Sequence, residues 1–314
     1  MRRRILLWHL HGSYLAALTR AEHDWFLPVT PERSGLYGGS RPDLPEWVHD
    51  IPVGDVRNQQ FDLVLYQSPR EFFDEGPTLL SKEQRQLPFI YLEHNVPPLV
   101  TGEARHPLID TSGLVVHVTR YNQLMWHTGN AATTVIEHSV AIDPGIRAIG
   151  DLPRGAVVCN ELQRRGRAVG LDVFLQARES VPLDLMGIDS EKIGGIGDIP
   201  YPLLHPRLAH YRFLFSPMRA TSLPLAVIEA MTIGLPVVAL ATTEVPTVIE
   251  HGVTGFISCD PGALVNHMQQ LVADPELARR LGTNARDMAR RRFGLDRFVQ
   301  DWNNVIERAI TGVK

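Results

Sequence analysis

The sequence predicts an α/β protein made of two doubly wound halves, each a parallel sheet with helices on both faces. Three observations carry this. Short apolar runs alternate with helical patterns along nearly the whole chain, which is the order that produces parallel strands joined by crossover helices. The alternation breaks once, in the Pro- and Gly-rich stretch 138–155 (HSVAIDPGIRAIGDLPRG), and then restarts, as a linker between domains would require. The length of 314 residues fits about two domains, and a 44% hydrophobic content supplies two cores. The boundaries that follow are a first domain at 1–140, a linker at 141–155, a second domain at 156–294 and a terminal helix at 295–314.

The elements follow in order. Ile5–Leu10 is an apolar run suited to a buried strand. A helix is expected over Ser13–Ala21 and the next strand over Trp25–Val29. Residues 30–57 are rich in Pro, Gly and charge, and read as loop with at most one short element. Strands are expected at Phe61–Tyr66, Phe89–Leu92, Leu114–Val118 and Thr133–Glu137, with helices near Leu79–Arg85 and Asn122–His127. Beyond the linker, Ala156–Cys159, Leu183–Met186, Phe213–Phe215, Val237–Leu240 and Gly255–Ser258 are strands. The strongest helix is Leu223–Ile233. Thr221 or Ser222 can cap it, Pro224 suits its first turn and Gly234 can end it. Asp274-Pro275-Glu276 opens a further helix, with Gly282 expected to stop it, Thr283–Arg292 to follow and Leu295–Ile310 to carry a final amphipathic pattern.

Bulk properties exclude several classes. A net charge of -4 does not support electrostatic binding of nucleic acid. Two cysteines, Cys159 and Cys259, form neither a CxxC pair nor a disulfide framework, and point to a reducing compartment such as the cytoplasm. The apolar run after Arg2-Arg3-Arg4 is too short for a signal peptide and meets His9 and His11, so it reads as a first strand. Strand alternation would put those two histidines on one face, but no third ligand has metal-site spacing. The tail carries Arg279, Arg280, Arg286, Arg290, Arg291, Arg292 and Arg297. Its plain reading is a solvated helix face, and attraction to an anionic membrane surface is the sharper one.

The segment with the most chemistry is Ser216–Leu240, SPMRATSLPLAVIEAMTIGLPVVAL. A strand ends in a loop of small residues that leads into a helix. A helix N-terminus offers unpaired N–H groups and partial positive charge, which suit a diphosphate. Glu229, about a turn and a half further in, could accept hydrogen bonds from a ribose diol. An ordinary cap followed by a satisfied acid would give the same pattern.

The same segment resembles the signature of glycosyltransferase family 4, the retaining GT-B enzymes: E-G-F-P/G-L-x-x-x-E-A-M-x-x-G-x-P-V-V. It matches from Leu225 to Val238, with Glu229-Ala230-Met231 and Gly234-Leu235-Pro236-Val237-Val238 in place. The resemblance implies that Glu229 binds the donor's ribose and that N–H groups around Ser222, Leu223, Pro224 and Leu225 meet the phosphates. The first Glu of the pattern falls on Thr221, which offers the transferred sugar only neutral hydrogen bonds. Ala156–Ala177 resembles V-V-G-R-L-x-x-x-K-G-x-D-x-L-L-x-A; its diphosphate-neutralising positions fall on Asn160 and Arg165, with Arg164 as a rival. Ile199 falls in the segment that holds the donor base. Glu244–Phe256 resembles a structural turn of the family. In the first half the resemblance is weaker. It places Gly12 in a glycine-containing loop after the first strand, and His94, in Tyr91-Leu92-Glu93-His94-Asn95, at the strand that delivers a catalytic-site histidine to the donor sugar. His138 aligns with a residue read here as hinge or packing.

Carried over, the resemblance implies a GT-B fold: two Rossmann-like domains facing a cleft, with the last helix crossing back to the first. It implies a metal-independent, cofactor-free retaining transferase that moves a sugar from a nucleoside-diphosphate donor to an acceptor hydroxyl. The leaving diphosphate itself would help to deprotonate that hydroxyl. The acceptor, a glycan, lipid or small molecule, is not named by the sequence. Two other readings stay open. One is a nucleotide-sugar epimerase. The other is a degenerate nucleotide-binding module without turnover, which Thr221, Asn160 and the compressed first half favour.

Overall fold

The computed structural model describes residues 1–98 and 102–312. The chain divides into two compact units: residues 1–141 together with 295–314, and residues 142–294.

Unit 1 contains β1 (Arg4–Leu7), α1 (Gly12–Leu18), β2 (Asp24–Val29), β3 (Val48–Pro52), β4 (Leu63–Tyr66), α2 (Gly76–Leu79), β5 (Phe89–Glu93), β6 (Leu114–His117), α3 (Arg120–Met125) and β7 (Ala132–Val135). Its strands form one parallel sheet in the order β3-β2-β1-β4-β5-β6-β7. Central strands such as β4 (LVLY) and β6 (LVVH) are buried along their whole length. That explains why they read as unbroken apolar runs, since a parallel sheet is covered on both faces. Leu6, Trp8, Val64, Tyr66 and Tyr91 lie in its core.

Unit 2 contains β8 (Leu152–Val158), α4 (Leu162–Arg165), α5 (Leu171–Arg178), β9 (Leu183–Met186), α6 (Tyr201–Leu208), β10 (Tyr211–Ser216), α7 (Leu225–Ile233), β11 (Val237–Leu240), α8 (Val245–Val248), β12 (Gly255–Ser258), α9 (Pro261–Ala273) and α10 (Pro275–Arg292). Its five parallel strands run β12-β11-β10-β8-β9. Val157, Phe213, Phe215, Val238, Leu264 and Met268 lie in its core.

The last helix, α11 (Leu295–Thr311), packs within unit 1, against α1, β4 and β5. Its apolar face buries Phe298, Trp302, Val305 and Ile306. Polar ties fix it. Trp302 Nε1 donates to Tyr14 Oη (3.2 Å), Arg3 pairs with Glu307 (2.6 Å) and Arg297 Nη2 donates to the carbonyls of Glu137 and His138 (3.0 and 2.8 Å).

The structure differs from the sequence reading in five places. A strand, β3, lies inside the stretch read as loop, where Val48 and Ile51 face the core. β8 begins at Leu152, so the last residues of the expected linker are strand. The helix expected near 79–85 lies earlier, as a π turn at Glu71–Glu75 running into α2, and only a 3-10 turn, Gln84–Gln86, falls in its place. α10 runs unbroken through Gly282, because a Cβ there would strike the Gly234 carbonyl; the glycine permits close helix packing and ends nothing. α7 starts at Leu225 with Pro224 as its cap residue and no side-chain cap, so neither Thr221 nor Ser222 plays that part. The Asp274 cap is present, its carboxylate accepting from the Leu277 amide (2.9 Å). Among the described residues no helix is long and apolar enough to cross a membrane.

Candidate functional site

In doubly wound sheets, ligands bind at the carboxyl ends of strands where the strand order reverses. In unit 2 the chain starts at β8, steps outward to β9 and returns to β10 on the other side of β8. The loops after β8 and β10 therefore diverge from adjacent strand ends, and they contain the residues that the sequence singled out.

Those two loops are stapled together. The amides of Arg219 and Ala220 both donate to the Ala168 carbonyl (3.0 and 2.9 Å), and the Arg219 guanidinium pairs with Asp172. Gly170 makes the approach possible. It sits at φ +82°, and a Cβ on it would collide with the Pro217 carbonyl. Beyond this staple, Thr221 is half-buried, Ser222, Leu223 and Pro224 are buried, and Leu225 opens α7. The Ser222 carbonyl accepts from Thr243 Oγ1 (3.0 Å), which fixes the entry into the helix.

Glu229 is 2% exposed on α7, a helix whose other residues are all apolar except the half-buried Thr232. A helix of that kind belongs in an interior, so its one carboxylate is buried with it. Glu229 Oε1 has no hydrogen-bond partner among the described residues. The nearest cationic candidate is His205 Nε2 on α6, at 3.6 Å. Ile199, half-buried, lies two residues before Tyr201, which begins α6 and sets its ring edge-on against His205 (4.9 Å).

The basic candidates separate. Arg164 is tied to the Glu161 carboxylate through two hydrogen bonds (2.7 and 2.6 Å). Arg165 is exposed, and its side chain has no hydrogen bond or ion pair among the described residues. Asn160 does structural work: its Oδ1 accepts from the Ile188 amide (3.0 Å) and ties the end of β8 to the loop after β9. Cys159, just before it, has its thiol pushed up to about 11 by burial, so it is no nucleophile. A cavity of about 300 Å3, lined by Ile149, Tyr211, Ile233 and Pro236 among others, lies where β10 and β11 start, at the opposite end of the sheet from these residues.

In unit 1 the order reverses between β1 and β4. Four segments converge there. His11 and Gly12 follow β1, Gln67 follows β4, His94 follows β5 and His138 follows β7. The His11 and His94 rings are 4.3 Å apart, and Tyr14 sets its ring edge against both His94 (4.9 Å) and His138 (5.6 Å). β1 ends at Leu7, so His9 and His11 lie in the loop beyond it and not on a strand face; His9 Nδ1 binds the Gly39 carbonyl. Gly12 opens α1 beneath Arg41, whose guanidinium donates to its carbonyl (3.2 Å) and occupies the space that a side chain would need.

The tautomer of His94 follows from its neighbours. Gln67 Nε2 donates to the Trp8 carbonyl (3.2 Å), which turns Gln67 Oε1 toward His94 Nε2 (3.1 Å). An amide oxygen only accepts, so Nε2 carries the proton and Nδ1 is the acceptor. Burial, with the added repulsion of His11 and His138, holds His94 well below the usual histidine range. His138 is pushed down to about 3, first by burial and then by His11 and Arg297. Both stay neutral at physiological pH. Gln67 had no motif to flag it, and His11 was singled out only with His9 as a possible metal pair; the switch-point geometry brings both to His94.

The arginine-rich tail is only partly a solvated face. Arg286 is 9% exposed and donates to the Ile146 and Pro144 carbonyls; Arg292 reaches Glu244 and Thr247; Arg297 ties α11 down.

Comparison with known proteins fits this geometry. Residues 191–288 match the family described as Glycosyl transferases group 1. N-acetyl-alpha-D-glucosaminyl L-malate synthase of Bacillus anthracis is 31% identical over 87 residues, 27% of this chain and 23% of that one. The chain matches about a quarter of the length of its curated relatives. Two solved structures share the fold over nearly all of the chain. Sucrose-phosphate synthase from Thermosynechococcus elongatus aligns with a TM-score of 0.73 at 15% identity, covering 99% of this chain and all of that one. Anabaena HepE in complex with UDP and glucose aligns with a TM-score of 0.73 at 14% identity, covering 98% and 100%. Residues 191–288, which carry β10, α7 and Glu229, thus match the glycosyl transferases group 1, within a chain whose fold is GT-B.

Proposed function

We propose that this protein is a retaining, metal-independent glycosyltransferase, and that unit 2 binds a nucleoside-diphosphate sugar as donor. The observation that carries the reading is the β10–α7 segment. It stands at the switch point of a parallel sheet, lies within the matched family segment, and buries one carboxylate with an unpaired oxygen. A buried carboxylate short of hydrogen-bond donors is rare in native proteins and asks for them, from a ligand at the oxygen that its protein neighbours leave free. On this reading the ribose diol donates to Glu229, the amides that open α7 meet the diphosphate, and Arg165 supplies the positive charge. Stabilising the departing diphosphate lowers the barrier electrostatically. That diphosphate also takes the proton of the attacking acceptor hydroxyl, so no dedicated base is needed.

Thr221 offers a neutral hydroxyl where the family pattern has an acid, and it sets which sugar is accepted. Ile199 contacts the base through its backbone. In unit 1, neutral His94 is a hydrogen-bonding residue for a sugar hydroxyl, and Gly12 leaves room for the Arg41 guanidinium.

A thermal-shift and calorimetry screen of UDP, GDP, ADP and their sugars tests this, starting with UDP because the HepE neighbour holds it. A ligand that binds only the folded state raises the melting temperature with concentration. One nucleotide family should do so. Glu229→Ala should weaken it by about 1.5–3 kcal/mol, the worth of hydrogen bonds to a charged group, or roughly ten- to a hundredfold in Kd. No shift with any of them at millimolar concentration rejects the donor site. Binding without transfer to any acceptor would identify a non-catalytic nucleotide-binding module, and conversion of the donor sugar without an acceptor an epimerase.

A further inference from the structure

Unit 2 holds two buried polar atoms that face each other and bond to nothing. Glu229 Oε1 on α7 and His205 Nε2 on α6 are each buried without a hydrogen-bond partner among the described residues, and they lie 3.6 Å apart. Their side chains are 3% and 5% exposed. A normal N–H···O bond is about 3.0 Å, so the gap exceeds contact distance by roughly 0.6 Å. Two orphans at that separation are a pair waiting for alignment. An ionised carboxylate only accepts, so closing the gap places the proton on Nε2. The His205 ring is held in place by the edge-on ring of Tyr201 (4.9 Å), on a helix that packs against α7.

We infer that His205 is a positioning residue for Glu229: by donating from Nε2 to Oε1 it orients the carboxylate so that the other oxygen meets the ribose diol. This rests on the reading of Glu229 as the ribose-binding residue. A carboxylate anchored at one oxygen presents the second in a fixed direction, and a diol can then be distinguished from a lone hydroxyl. Without His205, the carboxylate loses that direction and the site reads the ribose poorly, while the phosphate and base contacts remain. His205 therefore governs discrimination between ribose and 2′-deoxyribose, a property that general loosening of the fold would not alter selectively.

The experiment measures Kd by calorimetry for the nucleoside diphosphate that binds best and for its 2′-deoxy counterpart, on the wild type, His205→Leu and His205→Gln. The glutamine amide can donate from about the same place as Nε2. The wild type should prefer the ribonucleotide by about tenfold or more, the scale of a charge-assisted hydrogen bond. His205→Leu should bring the ratio to within about threefold by weakening the ribonucleotide alone, and His205→Gln should restore it. His205→Met serves as a second non-donor if the leucine variant does not fold. A ratio unchanged in the non-donor variants, or equal weakening of both nucleotides, overturns the role of His205 and leaves Glu229 as ribose ligand intact. A wild type that binds the two nucleotides equally overturns the ribose reading itself, and this inference with it.

Discussion

His117 gives a prediction whose size follows directly from its surroundings. It lies on β6, is fully buried, and has neither ring nitrogen hydrogen-bonded among the described residues. Burial, reinforced by the neighbouring His106, pushes its pKa down to about 4, against about 6.5 in an unfolded chain. The unfolded chain therefore takes up the proton first. The stability linked to His117 is fully present above about pH 6.5 and drains away as pH falls toward 4. At one pKa unit per 1.36 kcal/mol, the loss by pH 5 is about 2 kcal/mol. His117→Leu removes the titration. Its packing change acts at both pH values and cancels in the comparison. All five tryptophans (Trp8, Trp25, Trp47, Trp126 and Trp302) lie in unit 1, so their fluorescence reports that unit alone. Urea unfolding at pH 8 and pH 5 should show the wild type losing about 2 kcal/mol more than the variant. That corresponds to about 1 M in midpoint at a typical urea slope. If both proteins lose the same amount between the two pH values, His117 is not held neutral by burial and the reasoning is wrong.

The other predictions concern different links of the argument. Glu71 has the opposite sign: burial raises its carboxyl to about 7, so its stability is present below about pH 4.5 and is lost as pH rises through 7. Glu71→Gln, a neutral isostere, should gain about 2–3 kcal/mol on the wild type between pH 5 and pH 8 in the same fluorescence assay; parallel curves would refute it. Gly282→Ala should lower the melting temperature of unit 2 by the equivalent of about 1–3 kcal/mol, the usual cost of overpacking, because the new methyl meets the Gly234 carbonyl. An unchanged melting temperature would mean that α10 and α7 part easily. Arg165→Ala should weaken nucleoside-diphosphate binding by about tenfold, and Arg164→Ala by no more than about twofold, because Arg164 is already engaged by Glu161. Equal effects in titration calorimetry would remove that assignment.

The sequence alone determined the two-sheet α/β architecture and the helix that carries Glu229. Buried parallel strands are written as continuous apolar runs, as in Leu63–Tyr66 and Val237–Leu240, and a mostly apolar helix with a single charged residue is conspicuous. Asp274-Pro275-Glu276 likewise announced a helix start, because capping is local chemistry between residues three apart. What escaped was non-local. Gly282 looked like a helix stop, and only the close approach of Gly234 shows it to be a packing contact. β3 is short and half-exposed, with no pattern to lift it above the loop around it. Asn160 resembled a phosphate ligand, and only the structure shows its Oδ1 also tied to the Ile188 amide. Above all, the partners of the candidate residues were unreadable. Gln67 is 27 residues from His94, and His205 is 24 residues from Glu229. Strand order and helix packing decide which distant side chains meet, so the hydrogen-bonded state of a buried histidine or carboxylate is a property of the tertiary structure alone.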